Sequence, residues 1–452
     1  MAILPDIGAA EFQPGAPIDN PFFPLELGSI RSYEGHRVDP DTGDVEAERN
    51  DLFATFEKHE VFGVETTVIR DTVYANGALA EETLDWYAQD TAGNLWYFGE
   101  IVINFEYDDA GNFIGTNNDG AWEAGVDEAR PGHAMPAEPG FGPAFYLEHA
   151  LGVAEDKSIV VGLDETVTIG NGSFEGVLKT LDSSVLNPDG AEFKFYAPGV
   201  GEIAEQELNR DGTVDITTEL QGHRQVGSDV LPSGLSQPDL KEFQGDGSTQ
   251  FVTYLGGHAG SDSAIGAYQI EVETGRLEEG RILFSSTEDL EPGASVELDV
   301  DESKALGLFI VAKPDELGLD LSKFENGGLF FDNMLTGERA TVEDGLATLV
   351  ADGEGNALPI QALHALGGED SANFLNPAAG AQAVELETGA VADTATGGEV
   401  TVLGFEELLT TDPDFDGDYD DVLVAVSEAP LSDDMMSLPG ELGTAEVADS
   451  IS

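Results

Sequence analysis

The turn signals of this chain, more than its composition, decide what it can fold into. Phe62 to Val73 is a run rich in Val and Thr that reads as a strand, and Ala75-Asn76-Gly77 follows it as a turn. Leu84-Asp85-Trp86-Tyr87-Ala88 reads as a strand, Thr91-Ala92-Gly93-Asn94 as the next turn, and Leu95-Trp96-Tyr97-Phe98 as the next strand. Ile101 to Tyr107 then runs into a turn at Asp108-Asp109-Ala110-Gly111-Asn112. Asn-Gly and Gly-Asn pairs between such runs favour hairpins, because both residues adopt the left-handed backbone that a tight turn between twisted strands demands. No long segment carries the 3.6-residue period of an amphipathic helix. The spacing predicts an antiparallel meander over residues 19–225 that curls into a barrel-like sheet.

A second β-rich region covers residues 247–427, with strands at Ala267 to Val272, Ile282 to Phe284, Ala305 to Ala312 and Asp421 to Val426. Between the two regions, residues 226–246 (including Ser228-Asp229-Val230-Leu231-Pro232-Ser233-Gly234) have the composition of a linker. Residues 1–18, with Pro5, Pro14 and Pro17, read as an extended lead-in, and 428–452 as an acidic tail. At 452 residues the chain exceeds one ordinary core. The expectation is all-β: two antiparallel domains, the first a curled meander, the second a β-sandwich, with short helices. No repeat recurs at fixed period and no Gly-Gly-x-Gly-x-Asp array is present, so the chain is not itself a β-roll solenoid.

The charge excludes whole classes of partner. Eighteen Lys and Arg against 89 Asp and Glu give −71. Nucleic acid and anionic membrane surfaces require a basic footprint that is absent here. Such self-repulsion has to be offset, either by a saline medium that screens it or by divalent cations that neutralise it locally. There are no cysteines, hence neither disulfides nor thiolate metal sites. No apolar run approaches the roughly 20 residues that span a bilayer. The start, Met1-Ala2-Ile3-Leu4-Pro5, lacks the basic and apolar regions of a secretory signal peptide. Export would use a route without an N-terminal signal, or a signal already removed. Beyond Arg339 the chain has no Lys or Arg. Its small, acidic tail reads either as disordered or as an uncleaved type I secretion signal.

The strongest chemical signal is Asp412-Pro413-Asp414-Phe415-Asp416-Gly417-Asp418-Tyr419-Asp420-Asp421. Carboxylates at relative positions 1, 3, 5, 7 and 9, with Gly at 6, match the first half of an EF-hand loop, where alternate oxygens converge on one hard cation. Position 12 is Leu423 rather than a bidentate Glu, and the following residues read as a strand. The expectation is a Ca²⁺ loop in a β setting, closed by Glu406 or Glu407; Mg²⁺, which demands tight octahedral geometry, fits less well. Asp39-Pro40-Asp41-Thr42-Gly43-Asp44 and Asn209 to Asp215 carry fragments of the same spacing, which ordinary hairpin turns also use.

Catalytic motifs are missing. None of the seven histidines pair as metal ligands do on a helix, and there is no nucleophile elbow or Walker loop. Paired acids of glycoside hydrolysis are a spatial arrangement and cannot be read from sequence. Alternation puts Trp86 and Tyr87 on opposite faces of their strand, and likewise Trp96 and Tyr97. One face is then core; the other offers an aromatic platform with an acidic rim. A ligand site on the first domain would draw on Trp86, Trp96, Trp122 and Glu123.

Two resemblances add to this. Gly260-Ser261-Asp262 through Val272, Leu306-Gly307-Leu308-Phe309-Ile310, Gly404-Phe405-Glu406-Glu407, and Asp414-Phe415 through Val422 resemble an uncharacterised calcium-associated domain of type I-secreted bacterial surface proteins. Its closing motif runs roughly Gly-Phe-Glu-Asp, then Asp-x-Asp-Phe-Asn-Asp-Val-Val. Here Glu407 replaces the second acid, and Asp416-Gly417-Asp418 is an insertion-like departure. The resemblance implies an extracellular β-sandwich with bound Ca²⁺ and no defined reaction. Ile18-Asp19-Asn20-Pro21, Asp85-Trp86-Tyr87-Ala88, Gly93-Asn94-Leu95-Trp96-Tyr97-Phe98, Gly120-Ala121-Trp122-Glu123 and Tyr196-Ala197-Pro198-Gly199 resemble an uncharacterised domain of exported bacterial proteins, and imply no activity. Together the readings point to a secreted, extracellular or cell-surface calcium-binding protein, non-catalytic, acting in adhesion or self-assembly, its partners being calcium ions and either itself or surface glycans. The alternative is an exported hydrolase, or a small-ligand or glycan-binding protein, with its site in the N-terminal domain.

Overall fold

The computed structural model describes residues 2–38, 45–188, 190–225, 243–288, 290–342, 348–366, 383–385, 391–392, 399–408 and 419–432. Their regular structure is all β apart from short 3-10 turns at Ile7–Ala9, Pro314–Leu317 and Leu321–Phe324. Among the described residues no helix is long and apolar enough to cross a membrane. Two compact units result, residues 1–106 with 116–225, and 107–115 with 226–452.

The first sheet contains fifteen strands: β1 (Ser29–Val38), β2 (Val45–Val61), β3 (Val64–Ala75), β4 (Ala78–Gln89), β5 (Leu95–Tyr107), β6 (Phe113–Asn117), β7 (Trp122–Glu123), β8 (Arg130–Met135), β9 (Phe145–Tyr146), β10 (Glu148–His149), β11 (Asp156–Ile169), β12 (Gly172–Ser184), β13 (Ala191–Ala197), β14 (Gly201–Leu208) and β15 (Val214–Gln225). Its order is β10-β8-β5-β4-β3-β2-β1-β15-β14-β13-β12-β11-β9, with β6 and β7 on β5. Two antiparallel meanders, β1–β5 and β11–β15, are therefore joined along β1 and β15. The turns are those the sequence signals, with two refinements. Asn76-Gly77, both with positive φ, joins β3 to β4 as predicted. Phe62-Gly63, also both positive, is a second such turn, so the run predicted from Phe62 starts as a strand only at Val64. Leu95–Phe98 and Ile101–Tyr107 are one strand, β5, which pairs with β4 on both sides of Gly99; Gly99 (φ +132°) lets the backbone of Trp122 approach where a Cβ would collide with it.

The outermost strands of this order, β9 and β10, are neighbours in sequence, separated by Leu147 alone. The chain itself thus closes the sheet into a near-barrel. Gly132 on β8 makes room for that closure: a Cβ there would lie 2.3 Å from the carbonyl oxygens of Tyr146 and Leu147. Two apolar clusters support the curl, one around Leu25, Ile69, Leu95 and Leu178, the other around Val177, Phe195, Ile203 and Leu220.

The second unit contains β16 (Thr249–Gly256), β17 (Ser263–Glu271), β18 (Arg281–Phe284), β19 (Ser295–Asp299), β20 (Lys304–Ala312), β21 (Phe330–Asn333), β22 (Thr348–Ala351), β23 (Leu363–His364), β24 (Ala383–Glu385), β25 (Val391–Ala392), β26 (Glu399–Phe405) and β27 (Val422–Ser427). One sheet runs β19-β16-β27-β26-β24, with β25 on β26; another runs β18-β17-β20-β23; β21 and β22 pair separately. Val422, Val424 and Val426 of β27 share one core with Ile265 and Ile270 of β17 and Leu308 and Ile310 of β20. Leu423 and Ala425 point the other way, onto Val400 and Val402. This is the two-faced alternation of a sandwich. Phe243 joins the same core and Gln244 bridges to Ala305.

Candidate functional site

Strand alternation places one row of side chains inside the curled first sheet, and that row is polar. Glu192, Lys194 and Tyr196 of β13 face inward at every second position, as do Asp85 and Tyr87 of β4. With their counterparts on the other strands they line a cavity of about 330 Å³. Ten acidic side chains and a single lysine contribute to its wall; no serine, cysteine or histidine does.

Lys194 is fully committed. Its Nζ lies 3.2 Å from Glu192 and 3.1 Å from Glu205. Burial works against the ammonium, but these two carboxylates outweigh it and hold its pKa well above the usual lysine value. Other acids lack such a partner. Asp182 is only 4% exposed, and its Oδ1 has no hydrogen-bond partner among the described residues. Burial pushes this carboxyl up to about 6, against the pull of Lys194. Glu148, 8% exposed, accepts from Trp122 Nε1 at 2.8 Å; burial and then the charge of Asp156 push it up to about 8. Glu202 is pushed by burial up to about 7. Asp85 is raised well above the carboxylate range by burial and then by Glu100, although Tyr97 donates its hydroxyl to it at 2.5 Å. Clustered acids in a water-poor interior must take up protons or acquire a cation.

The cavity also has an aromatic wall. Tyr87 and Tyr97, cross-strand partners on β4 and β5, stack with centroids 4.7 Å apart and planes 15° from parallel. Phe23 leans on Tyr87 and Tyr196 at 6.1 and 5.8 Å. The cavity is lined by Tyr87 and Tyr97, whereas Trp86, Trp96, Trp122 and Glu123, the residues expected at a ligand site, are not among its lining. The tryptophans stand on the other face: Trp86 packs on His59 at 4.8 Å, and Trp96 donates Nε1 to Asp90 at 2.8 Å and meets His133 edge-on. Trp122 adjoins the cavity indirectly, through Glu148 and an edge contact with Tyr97 at 5.5 Å. Glu123 sits in the short ladder opposite Gly99. The inner acids escape the motif search. Their signal is acidic or aromatic residues at every second position of a predicted strand, as in Glu192-x-Lys194-x-Tyr196.

In the second unit Glu406 and Glu407 follow β26 directly and are 1% and 5% exposed. Glu407 Oε1 accepts from the backbone N–H groups of Gly260 and Ser261 at 2.9 and 3.1 Å. Its own N–H donates to Asp421 Oδ2 at 2.9 Å. Its Oε2 is buried with no partner among the described residues, and burial and then Asp421 raise its pKa. Tyr419 N–H points at Glu406 Oε2 at 3.5 Å, and Asp420 lies 3.3 Å from His258 Nδ1. Asp412, Asp414, Asp416 and Asp418 lie outside the described residues, as does Asp39 to Asp44. Among the described residues no three acids or histidines are grouped as metal ligands. The turn at Asn209 to Asp215 is hydrogen-bonded within itself: Asp211 accepts from Thr213, and Asn209 donates to Asp215. His364, buried among Tyr268, Phe309 and Phe331, shares a 2.9 Å hydrogen bond with the Tyr268 hydroxyl and is pushed by burial down to about 3, so it is a neutral core residue.

No protein-family model matches this chain, and no curated protein matches it. Two solved structures align with about half of it. One is described as an exported protein with a YmcC-like fold from Bacteroides fragilis, 14% identical, covering 45% of this chain and 99% of that one with a TM-score of 0.25. The other is described as a lipoprotein from Parabacteroides distasonis, 13% identical, covering 46% and 100% with a TM-score of 0.23. At TM-scores this low, neither likeness carries a ligand or an activity over to this chain.

Proposed function

We propose that this chain is an exported, non-catalytic calcium-binding protein of the bacterial surface or its matrix, with Ca²⁺ held between Glu406 and Glu407 and the acids from Asp412 to Asp421. The observation that carries this reading is Glu407 Oε2, a buried carboxylate oxygen without a donor among the described residues, on a residue whose backbone N–H donates to Asp421 Oδ2. A buried carboxylate oxygen without a donor is costly, and a second carboxylate, that of Asp421, raises the cost by repulsion. A hard cation with oxygen ligands relieves both at once. The sequence supplies further carboxylates at cation-loop spacing immediately before Tyr419. Calcium would also offset part of the −71 charge, within one chain and between chains. That second effect is the basis for a role in adhesion or self-assembly.

Calorimetric titration of the full chain with CaCl2 in concentrated NaCl tests the reading. Saturable binding is expected, lost in Glu407→Gln and Asp421→Asn. Stability restored by NaCl alone, with no Ca²⁺ heat, would instead identify a salt-screened protein without specific ions. Chromatography in EDTA against Ca²⁺ reads the assembly part: unchanged monomer in both conditions removes self-assembly from the proposal.

A further inference from the structure

The N-terminal cavity calls for a ligand of its own, independent of calcium at Glu407. We propose that it binds an organic cation, a molecule carrying one or more ammonium groups on a short hydrocarbon stem. Four observations converge on that chemistry.

The first is sign. Ten acidic side chains face one lysine, and that lysine is occupied by Glu192 and Glu205. The second is a carboxylate oxygen short of a donor: Asp182 lines the cavity and is buried, and although Ser158 and Thr180 interact with its carboxyl, its Oδ1 has no hydrogen-bond partner among the described residues. The third is size. About 330 Å³ is far more than a bare metal ion fills, and sits at the small end of pockets that take organic ligands, roughly 300–1,000 Å³. No three acids among the described residues converge as metal ligands would. The fourth is the wall material. The stacked Tyr87 and Tyr97, with Phe23 against Tyr87 and Tyr196, give an apolar and π-rich surface, suited both to a hydrocarbon stem and to a cation over a ring face. A neutral polyol would find hydrogen-bond acceptors here, but it would leave the mutual repulsion of the acids untouched. An ammonium group removes that repulsion and supplies a donor for the Asp182 oxygen that has none, Oδ1. Burial pushes Asp182, Glu202 and Glu148 up to about 6, 7 and 8, so near pH 5.5 these carboxyls would release protons as the ligand enters.

The test is isothermal titration of the full chain with butylamine and 1,4-diaminobutane, with 1,4-butanediol as the neutral isostere. The amines are expected to bind and the diol not. The heat should change with the ionisation enthalpy of the buffer, because protons are released. Asp182→Asn should weaken amine binding by at least about tenfold, the loss of one charge-assisted hydrogen bond. Asp85→Asn provides a second variant on another strand should the first fail to fold, and circular dichroism reports folding for both. Absence of binding by either amine overturns the proposal. So does equal affinity for the diol, which would mean a polyol site, or a Ca²⁺ heat that Asp182→Asn abolishes, which would mean a metal site.

Discussion

The two β units are built from the same strand pattern, yet their interiors are opposites. In the sandwich, β17 and β20 are buried along almost their whole length, and facing sheets fill the gap with aliphatic and aromatic side chains. Its buried imidazole, His364, is neutral and paired with Tyr268. In the curled sheet, apolar side chains from both meanders pack together in places, but elsewhere the walls enclose a cavity whose inner row carries acids. The difference teaches that alternation alone does not decide what an inner face is made of. Where two faces touch, every polar group must be excluded or matched; where they enclose a space, unmatched polar groups persist and await a partner.

The sharpest way to break this contrast is to truncate the filled interior. Phe309→Ala should cost about 3–5 kcal/mol in chemical denaturation of the second unit. A cost below about 1 kcal/mol would mean that core is not close-packed. Next in size is calcium removal. With Ca²⁺ at a hundredfold over its dissociation constant, the occupied state gains about 2.7 kcal/mol, so EDTA should lower the melting temperature of the wild type and leave Glu407→Gln unmoved.

A third prediction turns on pH. Glu148, Glu202 and Asp182 titrate higher in the folded chain, at about 8, 7 and 6, than their ordinary values of 4.5, 4.5 and 3.8. Between the two values the folded state holds protons that the unfolded state has released. Their contribution is fully present below about pH 4 and is lost progressively as pH rises toward 8, at up to about 1.4 kcal/mol for each unit of pKa difference. The empty protein should therefore melt lower at pH 8 than at pH 5.5, and Glu148→Gln should flatten that slope. A saturating amine ligand should flatten it too. The smallest effect is expected at the surface. Arg276 pairs with Glu278 at 2.8 Å in the open, and Arg276→Ala should leave the melting temperature unchanged in physiological salt.

Much of the fold was legible because hairpin turns have chemical requirements. Asn76-Gly77 is a turn for the reason the sequence offered, the left-handed backbone of both residues. Phe62-Gly63 was hidden, since a large aromatic with positive φ is exceptional and looks like one more strand residue. The all-β class and the sandwich were readable from alternation. Closure through Leu147 was not, because β9 and β10 are two residues each and carry no periodicity. Of the cavity, alternation separated Trp86 and Trp96 from Tyr87 and Tyr97, but which pair faces inward depended on which face the sheet curls around, and the sequence pointed to the tryptophans. The acids of the cavity were lost in a chain with 89 Asp and Glu. Membership of an inner row is decided by strand register, and register is a long-range property.

The closure through Leu147 also bears on how the chain finds its fold. β9 and β10 reach their partners β11 and β8 over short stretches of sequence, so this seam costs little loop entropy to form. The opposite seam joins β1 to β15, pairing Ser29 with Gln225 across the whole unit. Each meander can assemble locally, and the rate-limiting event is expected where β1 meets β15, the contact of highest sequence separation. Weakening that seam should slow refolding far more than any change at Leu147.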